Sequence, residues 1–146
     1  QKGARVTAIA AAPKADAVLA AGAQSVLDRD ASLPKEAFTV VIDVVGGNQF
    51  GECLDALCPG GRLATSGAIA GPMAEVDLRT LYLKDLTVFG CTYQSREVFR
   101  ALVSLINAGS LRPLVSKAYP LKDIAQAQTD FMAKRFPGKL VLRPFF

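Results

Sequence analysis

The stretch FTVVIDVVGG, residues 38–47, constrains the fold more than any other part of this sequence. Its Val and Ile residues follow one another without polar alternation until Asp43, which is the pattern of a strand covered on both faces. Such strands occur in parallel sheets, whose strands are joined by crossover connections that are usually helices. The stretch therefore predicts an α/β fold.

Strand and helix patterns alternate along the rest of the chain, which predicts right-handed crossovers and a mainly parallel, doubly wound sheet. The clearest helix is 95–109, where apolar residues recur at helical spacing between Ser95 as N-cap and Gly109 as a stop. Asn48 is the predicted N-cap of an earlier helix. The predicted strands are 4–12, 25–29, 38–47, 62–65, 86–93 and 139–145, and the predicted helices are 13–22, 48–57, 77–85, 95–109 and 122–133.

The stretch LCPGGRLATSG, residues 57–67, predicts the end of a helix, a turn at Pro59-Gly60-Gly61 and a short buried strand that ends at Ser66-Gly67. Ligands of open parallel sheets bind at the carboxyl ends of the strands. Small residues at such an end would let a cofactor approach the backbone. An ordinary connection between a helix and a strand is the alternative interpretation.

Composition narrows the functional classes. The chain is 51% hydrophobic and 21% charged, and its 17 Lys and Arg residues against 13 Asp and Glu residues are scattered rather than clustered. This pattern predicts no nucleic-acid partner, and apolar runs shorter than a membrane span predict a soluble, cytoplasmic chain. With three cysteines and no histidine, Cys/His metal sites and Ser-His or Cys-His catalytic pairs are excluded within this chain.

Several motifs in order resemble the medium-chain dehydrogenase/reductase superfamily, and most of all its quinone oxidoreductase and enoyl reductase branch. They are GARVTAIA, VVIDVVGG, CPGGRLATSG, DLRTLYLKDLTVFG, INAGSLRPLVSKAYPLKDIAQAQ and PGKLVLRP. The resemblance implies a Rossmann domain that binds NADPH or NADH. It divides the chain into a partial dinucleotide-binding domain, 1–115, and a C-terminal segment, 116–146, that returns toward a catalytic domain.

The resemblance also implies that part of the fold is missing. No G-x-G-x-x-G turn occurs in the sequence, so the first βα unit of the Rossmann domain, with its pyrophosphate site, would lie upstream. Its strand would belong between the strands at 5–10 and 39–45. Any zinc ligands would also lie upstream, so this chain leaves zinc dependence open and supplies no metal-binding residue.

Lys14 is the predicted partner of a cofactor 2′-phosphate. The first strand ends in Ala10, Ala11 and Ala12, so it offers no carboxylate to accept hydrogen bonds from a ribose diol and repel that phosphate. Together with the resemblance to the NADPH-preferring branch, this favours NADP(H) over NAD(H). A solvated lysine at a helix N-terminus is the alternative.

The remaining predicted cofactor contacts follow from the resemblance. Val45 and Gly46 would lie beside the ribose, with Asp43 in a structural role, and Ser66, Gly67 and Ala68 would form a backbone platform near the nicotinamide. Cys91 and Thr92, one strand farther along, would line the same crevice, or else simply pack at the end of their strand. No residue of this chain is predicted to be catalytic.

These observations favour the interpretation that the chain is the cofactor-binding portion of an NADPH-dependent oxidoreductase. The complete enzyme would transfer hydride between nicotinamide and a quinone or another conjugated carbonyl, and this chain alone would be inactive. The alternative is a non-catalytic nucleotide-binding or dimerisation module, since the resemblance implies a homodimer through the edge of strand 86–93. A doubly wound methyltransferase would need an acidic residue at the end of its second strand, which Ala10–Ala12 do not supply.

Overall fold

The computed structural model describes residues 3–144 and shows an α/β fold in which strands and helices alternate. Two short 3₁₀ turns, Ala12–Lys14 and Leu121–Asp123, precede the first and last helices. The strands are β1 Thr7–Ile9, β2 Ser25–Leu27, β3 Phe38–Asp43, β4 Leu57–Thr65, β5 Thr87–Gly90, β6 Val115–Pro120 and β7 Lys139–Arg143. The helices are α1 Ala15–Ala20, α2 Gln49–Asp55, α3 Leu78–Leu83, α4 Arg96–Asn107 and α5 Ile124–Met132. None of these described helices has the length and apolar content that a membrane span requires.

Every strand pairing in the described part of the chain is parallel, which confirms the predicted Rossmann-like class. The strands form three ladders, β1-β2, β3-β4-β5 and β6-β7. No hydrogen-bonded ladder joins β1-β2 to β3-β4-β5 within residues 3–144. That a further strand belongs between them stays a prediction.

The chain divides into two compact units. One unit is Asp30–Gln94, and the other combines the residues up to Arg29 with those from Ser95 onward. The Asp30–Gln94 unit has a core of fully buried side chains from α2 and β4, namely Leu54, Leu57 and Leu63. This core supports the three-stranded ladder on which the candidate site is built.

Strand β4 begins earlier than predicted. The sequence places a turn at Pro59-Gly60-Gly61 and a strand only from Arg62, whereas Leu57 already pairs with Phe38 of β3. Between them the register is irregular, and regular pairing resumes where Arg62 lies opposite Val40. Gly60 has φ +73° and its N–H donates to the Lys84 carbonyl at 2.7 Å, so the predicted turn is an excursion within the strand.

The two predicted N-caps have different outcomes. Ser95 accepts a hydrogen bond from the Val98 N–H at 3.4 Å and α4 follows it, while Gly109 has φ +68° just beyond the helix end, as predicted. Asn48 precedes α2 but makes no capping hydrogen bond with its side chain. Its φ of −66° and ψ of −22° are already helical, whereas a capping side chain requires an extended backbone.

Strand β6 was not predicted from the sequence. The segment VSKAYP mixes polar and apolar residues and ends in proline, so its pattern is too weak to indicate a strand. It is paired in parallel with β7, the predicted C-terminal strand. The ladder exists because the Pro137-Gly138 turn brings β7 alongside, where the Lys139 N–H donates to the Leu114 carbonyl at 2.8 Å.

A polar cluster joins α5 to β6. The buried Tyr119 hydroxyl donates to Asp130, and Lys117 Nζ lies 2.9 Å from the same carboxylate. Gln126 donates to the other carboxylate oxygen at 2.9 Å, and Lys117 also lies over the Tyr119 ring, 4.6 Å from its centroid. These donors, with the Tyr119 hydroxyl as the largest contribution, lower the pKa of Asp130 to about 2.

The lowered pKa of Asp130 predicts a pH-dependent contribution to stability. Because the folded-state pKa lies below the ordinary carboxyl value of 3.8, this contribution is present above pH 3.8 and is lost as the pH falls toward about 2. We expect Asp130→Asn to lower the free energy of unfolding at pH 6 and to matter progressively less under acid. Urea unfolding of both forms across this range measures the difference, and Asp123→Asn, in an exposed 3₁₀ turn, is the control. A difference independent of pH would contradict the assignment.

Candidate functional site

A cleft of about 640 Å³ lies at the carboxyl ends of β3, β4 and β5, within the Asp30–Gln94 unit. This is the edge of a parallel sheet at which α/β proteins bind their ligands, and the volume falls within the roughly 300–1,000 Å³ of small-molecule sites. Its walls are built from the segments that follow the three strands. The lining residues are Gly46, Gly47, Phe50, Thr65, Ser66, Gly67, Ala68, Gly71, Pro72, Ala74, Gly90, Cys91 and Thr92.

The turn after β3 is anchored by Asp43, which is only 7% exposed. Its Oδ1 accepts hydrogen bonds from the Val45 N–H at 2.8 Å and the Gly46 N–H at 3.1 Å. Its Oδ2 lies 3.2 Å from the same Gly46 nitrogen and accepts from the Thr65 hydroxyl at 3.4 Å. The predicted structural role of Asp43 is therefore a local one, because it folds the chain back on itself immediately after the strand.

Two glycines make this turn possible. Gly46 and Gly47 have φ values of +64° and +65°, a conformation that L-residues rarely adopt. A Cβ on Gly46 would lie 3.0 Å from the Ala68 Cα, and one on Gly47 would lie 3.1 Å from the Ala70 carbonyl oxygen. The turn after β3 therefore lies directly against the loop that follows β4.

Main-chain hydrogen bonds join the same two segments. The Ser66 N–H donates to the Asp43 carbonyl at 3.0 Å, and the Ala70 N–H donates to the Val45 carbonyl at 2.9 Å. Gly67 is packed so closely that a Cβ there would lie 2.7 Å from the Val44 carbonyl oxygen. The wall of the cleft is thus mostly main chain and small side chains, which leaves the backbone accessible to a flat ligand.

The segment after β5 forms the third side of the cleft. The Cys91 N–H donates to the Thr65 carbonyl at 2.8 Å, which extends the β4–β5 ladder by one residue. All three cysteines are free thiols. Burial, with the nearby Asp43 and Glu52 carboxylates, raises the pKa of Cys53 to about 11, so this thiol is protonated at neutral pH.

The structure brings together most of the residues predicted to contact a cofactor. The cleft is lined by Gly46, Ser66, Gly67, Ala68, Cys91 and Thr92. Val45 does not line it and instead supplies the N–H and carbonyl that hold the turn. Lys14 ends the 3₁₀ turn before α1 and belongs to the other compact unit, so its contact with a 2′-phosphate stays a prediction.

Seven lining residues were not predicted, and they fall into three groups. Gly47, Thr65 and Gly90 adjoin predicted residues at the ends of β3, β4 and β5, where the rule for parallel sheets could have found them. Phe50 lies in α2, the helix that follows the turn after β3. Gly71, Pro72 and Ala74 come from the loop that runs from β4 to α3. The Gly-Pro pair indicates a loop, but nothing local shows that it turns back over the strand ends.

The described residues fit a nicotinamide better than a metal. Residues 3–144 contain no cluster of three or more metal-ligating side chains, whereas the cleft offers main chain, the hydroxyl residues Thr65, Ser66 and Thr92, and no bulky side chain other than Phe50. A planar ring with a carboxamide needs this combination of a flat surface and polar groups.

Comparison with known proteins decides the family. The model of the zinc-binding dehydrogenase family matches residues 14–142, which is most of the chain. The chain belongs to this family, within the medium-chain dehydrogenase/reductase superfamily. The family consists of oxidoreductases, so the predicted resemblance is confirmed and the methyltransferase alternative is excluded.

Individual relatives agree with this assignment. A putative alcohol dehydrogenase from Sinorhizobium meliloti superposes with a TM-score of 0.85 at 45% identity, covering 98% of this chain and 42% of that one. Acryloyl-coenzyme A reductase from Metallosphaera sedula is 33% identical over 74% of this chain and 33% of its own length. Quinone oxidoreductase from Pseudomonas aeruginosa is 31% identical over 72% of this chain and 35% of its own. This dehydrogenase-family chain thus spans less than half the length of these relatives.

Proposed function

We propose that this chain is the cofactor-binding portion of an NADPH-dependent oxidoreductase that reduces a quinone, an enone or a related conjugated carbonyl. The observation that carries the proposal is the cleft at the carboxyl ends of three parallel strands, walled by Gly46, Ser66, Gly67 and Ala68, in a member of a dehydrogenase family. Such a wall suits a nicotinamide that lies flat against the main chain. The nicotinamide supplies the hydride when it is bound.

The residues of this chain would contribute by positioning. The segment 43–47 and the loop 66–71 are fixed to each other by two main-chain hydrogen bonds, Ser66 N–H to the Asp43 carbonyl and Ala70 N–H to the Val45 carbonyl. They therefore present a preformed surface that costs little to order on binding. Holding one reactant in a fixed orientation in a water-poor cleft accounts for a large part of the rate of a hydride transfer. Other residues, in the part of the protein that would hold the substrate, would orient the second reactant.

The substrate class follows from what two relatives have in common. Acryloyl-coenzyme A and a quinone, named in the descriptions of those relatives, are both carbonyl compounds conjugated to a carbon–carbon double bond. Such compounds accept a hydride at carbon without needing a metal to polarise an isolated carbonyl. We therefore propose a conjugated carbonyl rather than a simple alcohol or aldehyde as the substrate. We propose separately that the protein acts in the cytoplasm.

Selectivity for NADPH is proposed to depend on Lys14. The first strand offers no acidic residue to bind a ribose diol, and the lysine lies at the end of a 3₁₀ turn just beyond that strand. We expect Lys14→Glu in the full-length protein to weaken NADPH binding by about tenfold or more, through lost attraction and new repulsion, and to change NADH binding little. Titration with each dinucleotide, followed by nicotinamide fluorescence, measures both.

Lys122→Glu is the matched control for this experiment. Lys122 also lies in the last turn of a 3₁₀ segment that precedes a helix, so it carries the same charge change in a similar local structure. NADPH preference unchanged by Lys14→Glu would contradict the role of Lys14. Failure of the unmodified full-length protein to bind either dinucleotide would contradict the proposed function itself.

Homodimerisation is a second proposed role, and strand β5 supports it. Within the described residues β5 pairs only with β4, and all four of its residues are exposed, Phe89 to 48%. An uncovered apolar edge is a surface on which another strand can pair. We expect sedimentation equilibrium to show a dimer for the unmodified protein and a monomer for Phe89→Lys. Tyr82→Lys, at an exposed position of α3, is the control and should remain a dimer. A dimer that survives Phe89→Lys would place the contact elsewhere.

The proposed domain division follows the sequence, with a partial dinucleotide-binding domain at 1–115 and a C-terminal segment at 116–146. In support, β6, α5 and β7 all fall within or at the boundary of that last segment and contact one another. A segment with its own small ladder suits a return toward a second domain. This division follows the order of residues along the chain. The two compact units described above are defined by contacts between residues, and their boundaries are different.

A further inference from the structure

Asp43 is a buried carboxylate that the proposed hydride transfer does not use. It is 7% exposed, and no ion pair described between residues 3–144 involves it. A buried charge without a cation is costly unless hydrogen bonds replace the lost water. Here the lost water is replaced by hydrogen bonds from the Val45 N–H, the Gly46 N–H and the Thr65 hydroxyl.

The contacts of Asp43 reach both segments that wall the cleft. Through Val45 and Gly46 the carboxylate holds the turn after β3, and through Thr65 it holds the end of β4. The turn after β3 also holds the loop after β4, because the Val45 carbonyl accepts a hydrogen bond from the Ala70 N–H at 2.9 Å. Asp43 therefore lies behind the wall of the cleft and outside its lining, in direct contact with the segments that form the wall.

We infer that Asp43 is a positioning residue for dinucleotide binding, which acts by holding the main chain of Val45–Gly46 against the Thr65–Ala70 segment. The inference rests on the proposed function, because it assigns a purpose to the geometry of the same cleft. It predicts that the loss of the carboxylate loosens the cleft wall while the hydrophobic core remains in place. A substitution of Asp43 replaces no side chain that lines the cleft.

The identity of the residue at position 43 provides a graded test. Both carboxylate oxygens of Asp43 accept hydrogen bonds, Oδ1 from Val45 and Gly46 and Oδ2 from Gly46 and Thr65. Asparagine keeps an oxygen in the Oδ1 position for the Val45 and Gly46 N–H groups, and its nitrogen can donate to the Thr65 oxygen. It loses only the second contact of the Gly46 N–H, the one with Oδ2, so it retains the hydrogen bonds that hold the turn without the charge. Alanine retains none of it and leaves two N–H groups without their acceptor.

The experiment compares Asp43→Ala and Asp43→Asn in the full-length protein by two measurements. Hydrogen exchange reports the protection of the Val45 and Gly46 amides without any cofactor, and fluorescence titration reports the dissociation constant for NADPH. We expect Asp43→Ala to reduce the protection of these two amides and to raise the dissociation constant by about tenfold or more. Asp43→Asn should restore most of the protection and most of the affinity.

Leu54→Ala is the matched destabilised control. Leu54 is 1% exposed in the core of the same unit and does not line the cleft, so its truncation lowers stability while Asp43 and its hydrogen-bond partners keep their identity. We expect it to leave the affinity for NADPH unchanged below its melting temperature and to reduce protection evenly, rather than at Val45 and Gly46. This separates positioning from a general loss of stability.

The outcomes distinguish the inference from the function on which it rests. If the unmodified protein binds NADPH and Asp43→Ala binds it equally well, the positioning role is overturned while the proposed function stands. The positioning role is also overturned if Asp43→Ala and Leu54→Ala weaken binding to the same extent. If the unmodified protein binds neither NADPH nor NADH, the proposed function and the inference both fail.

Discussion

Replacing Gly67 with alanine should lower the free energy of unfolding and strongly reduce hydride transfer by the full-length protein. The new Cβ would lie 2.7 Å from the Val44 carbonyl oxygen, a contact that neither main-chain segment can relieve by rotating a side chain. Overpacking of this kind costs about 1–3 kcal/mol. Since Gly67 lines the cleft, the displaced wall should also reduce the rate on the order of a hundredfold.

Gly90→Ala is the matched control for the effect on stability. Gly90 also lines the cleft at the end of a strand, but a Cβ there meets nothing within 4 Å and its φ is not in the left-handed region. We expect its free energy of unfolding to stay the same or to rise by up to about 1 kcal/mol, because alanine is favoured over glycine within a strand. Equal losses in Gly67→Ala and Gly90→Ala would contradict the proposed steric cause.

Truncating Leu63 to alanine should cause the largest loss of stability among the substitutions considered for the Asp30–Gln94 unit. Leu63 is fully buried in the central strand β4, where it lies opposite Val41 of β3 and Val88 of β5. Removing a buried leucine side chain costs about 2–5 kcal/mol, which combines lost transfer free energy with the cavity that remains. Urea unfolding monitored by circular dichroism measures the change.

Leu83→Ala is the control for Leu63→Ala. Leu83 is in α3 of the same unit and is 70% exposed, so the same substitution removes little buried surface. We expect a change within about 0.5 kcal/mol. A loss of similar size in both variants would show that the Leu54–Leu57–Leu63 core does not dominate the stability of this unit.

Local patterns were sufficient to predict most of the elements. The Val and Ile run of β3 indicates a strand because branched side chains pack well on a pleated sheet, and α4 is evident from its apolar period with Ser95 and Gly109 at its ends. Ser66 and Gly67 are predicted at the ligand-binding edge because they end a strand of a parallel sheet, and the family resemblance adds Ala68 to the same wall of the cleft. In each case the information lies within a few consecutive residues.

The misplaced elements involve partners that are distant along the chain. The start of β4 depends on the pairing of Leu57 with Phe38, and β6 depends on its pairing with β7. Nothing in LCPGG or VSKAYP specifies those partners, because a short weak pattern becomes a strand only when a neighbouring strand satisfies its N–H and carbonyl groups. Asn48 fails as a cap for a different, local reason, since its own backbone is already helical.

The sequence by itself determined the α/β class, the parallel pairing, the family and the strand ends at which the cleft is found. Tertiary structure alone decided which main-chain atoms meet there, including the 2.9 Å hydrogen bond between Val45 and Ala70 and the contact of Gly67 with Val44. Periodicity and propensity report how each residue is buried and which backbone angles it prefers. Close contacts between segments more than twenty residues apart depend on strand register and loop path, which no local pattern records.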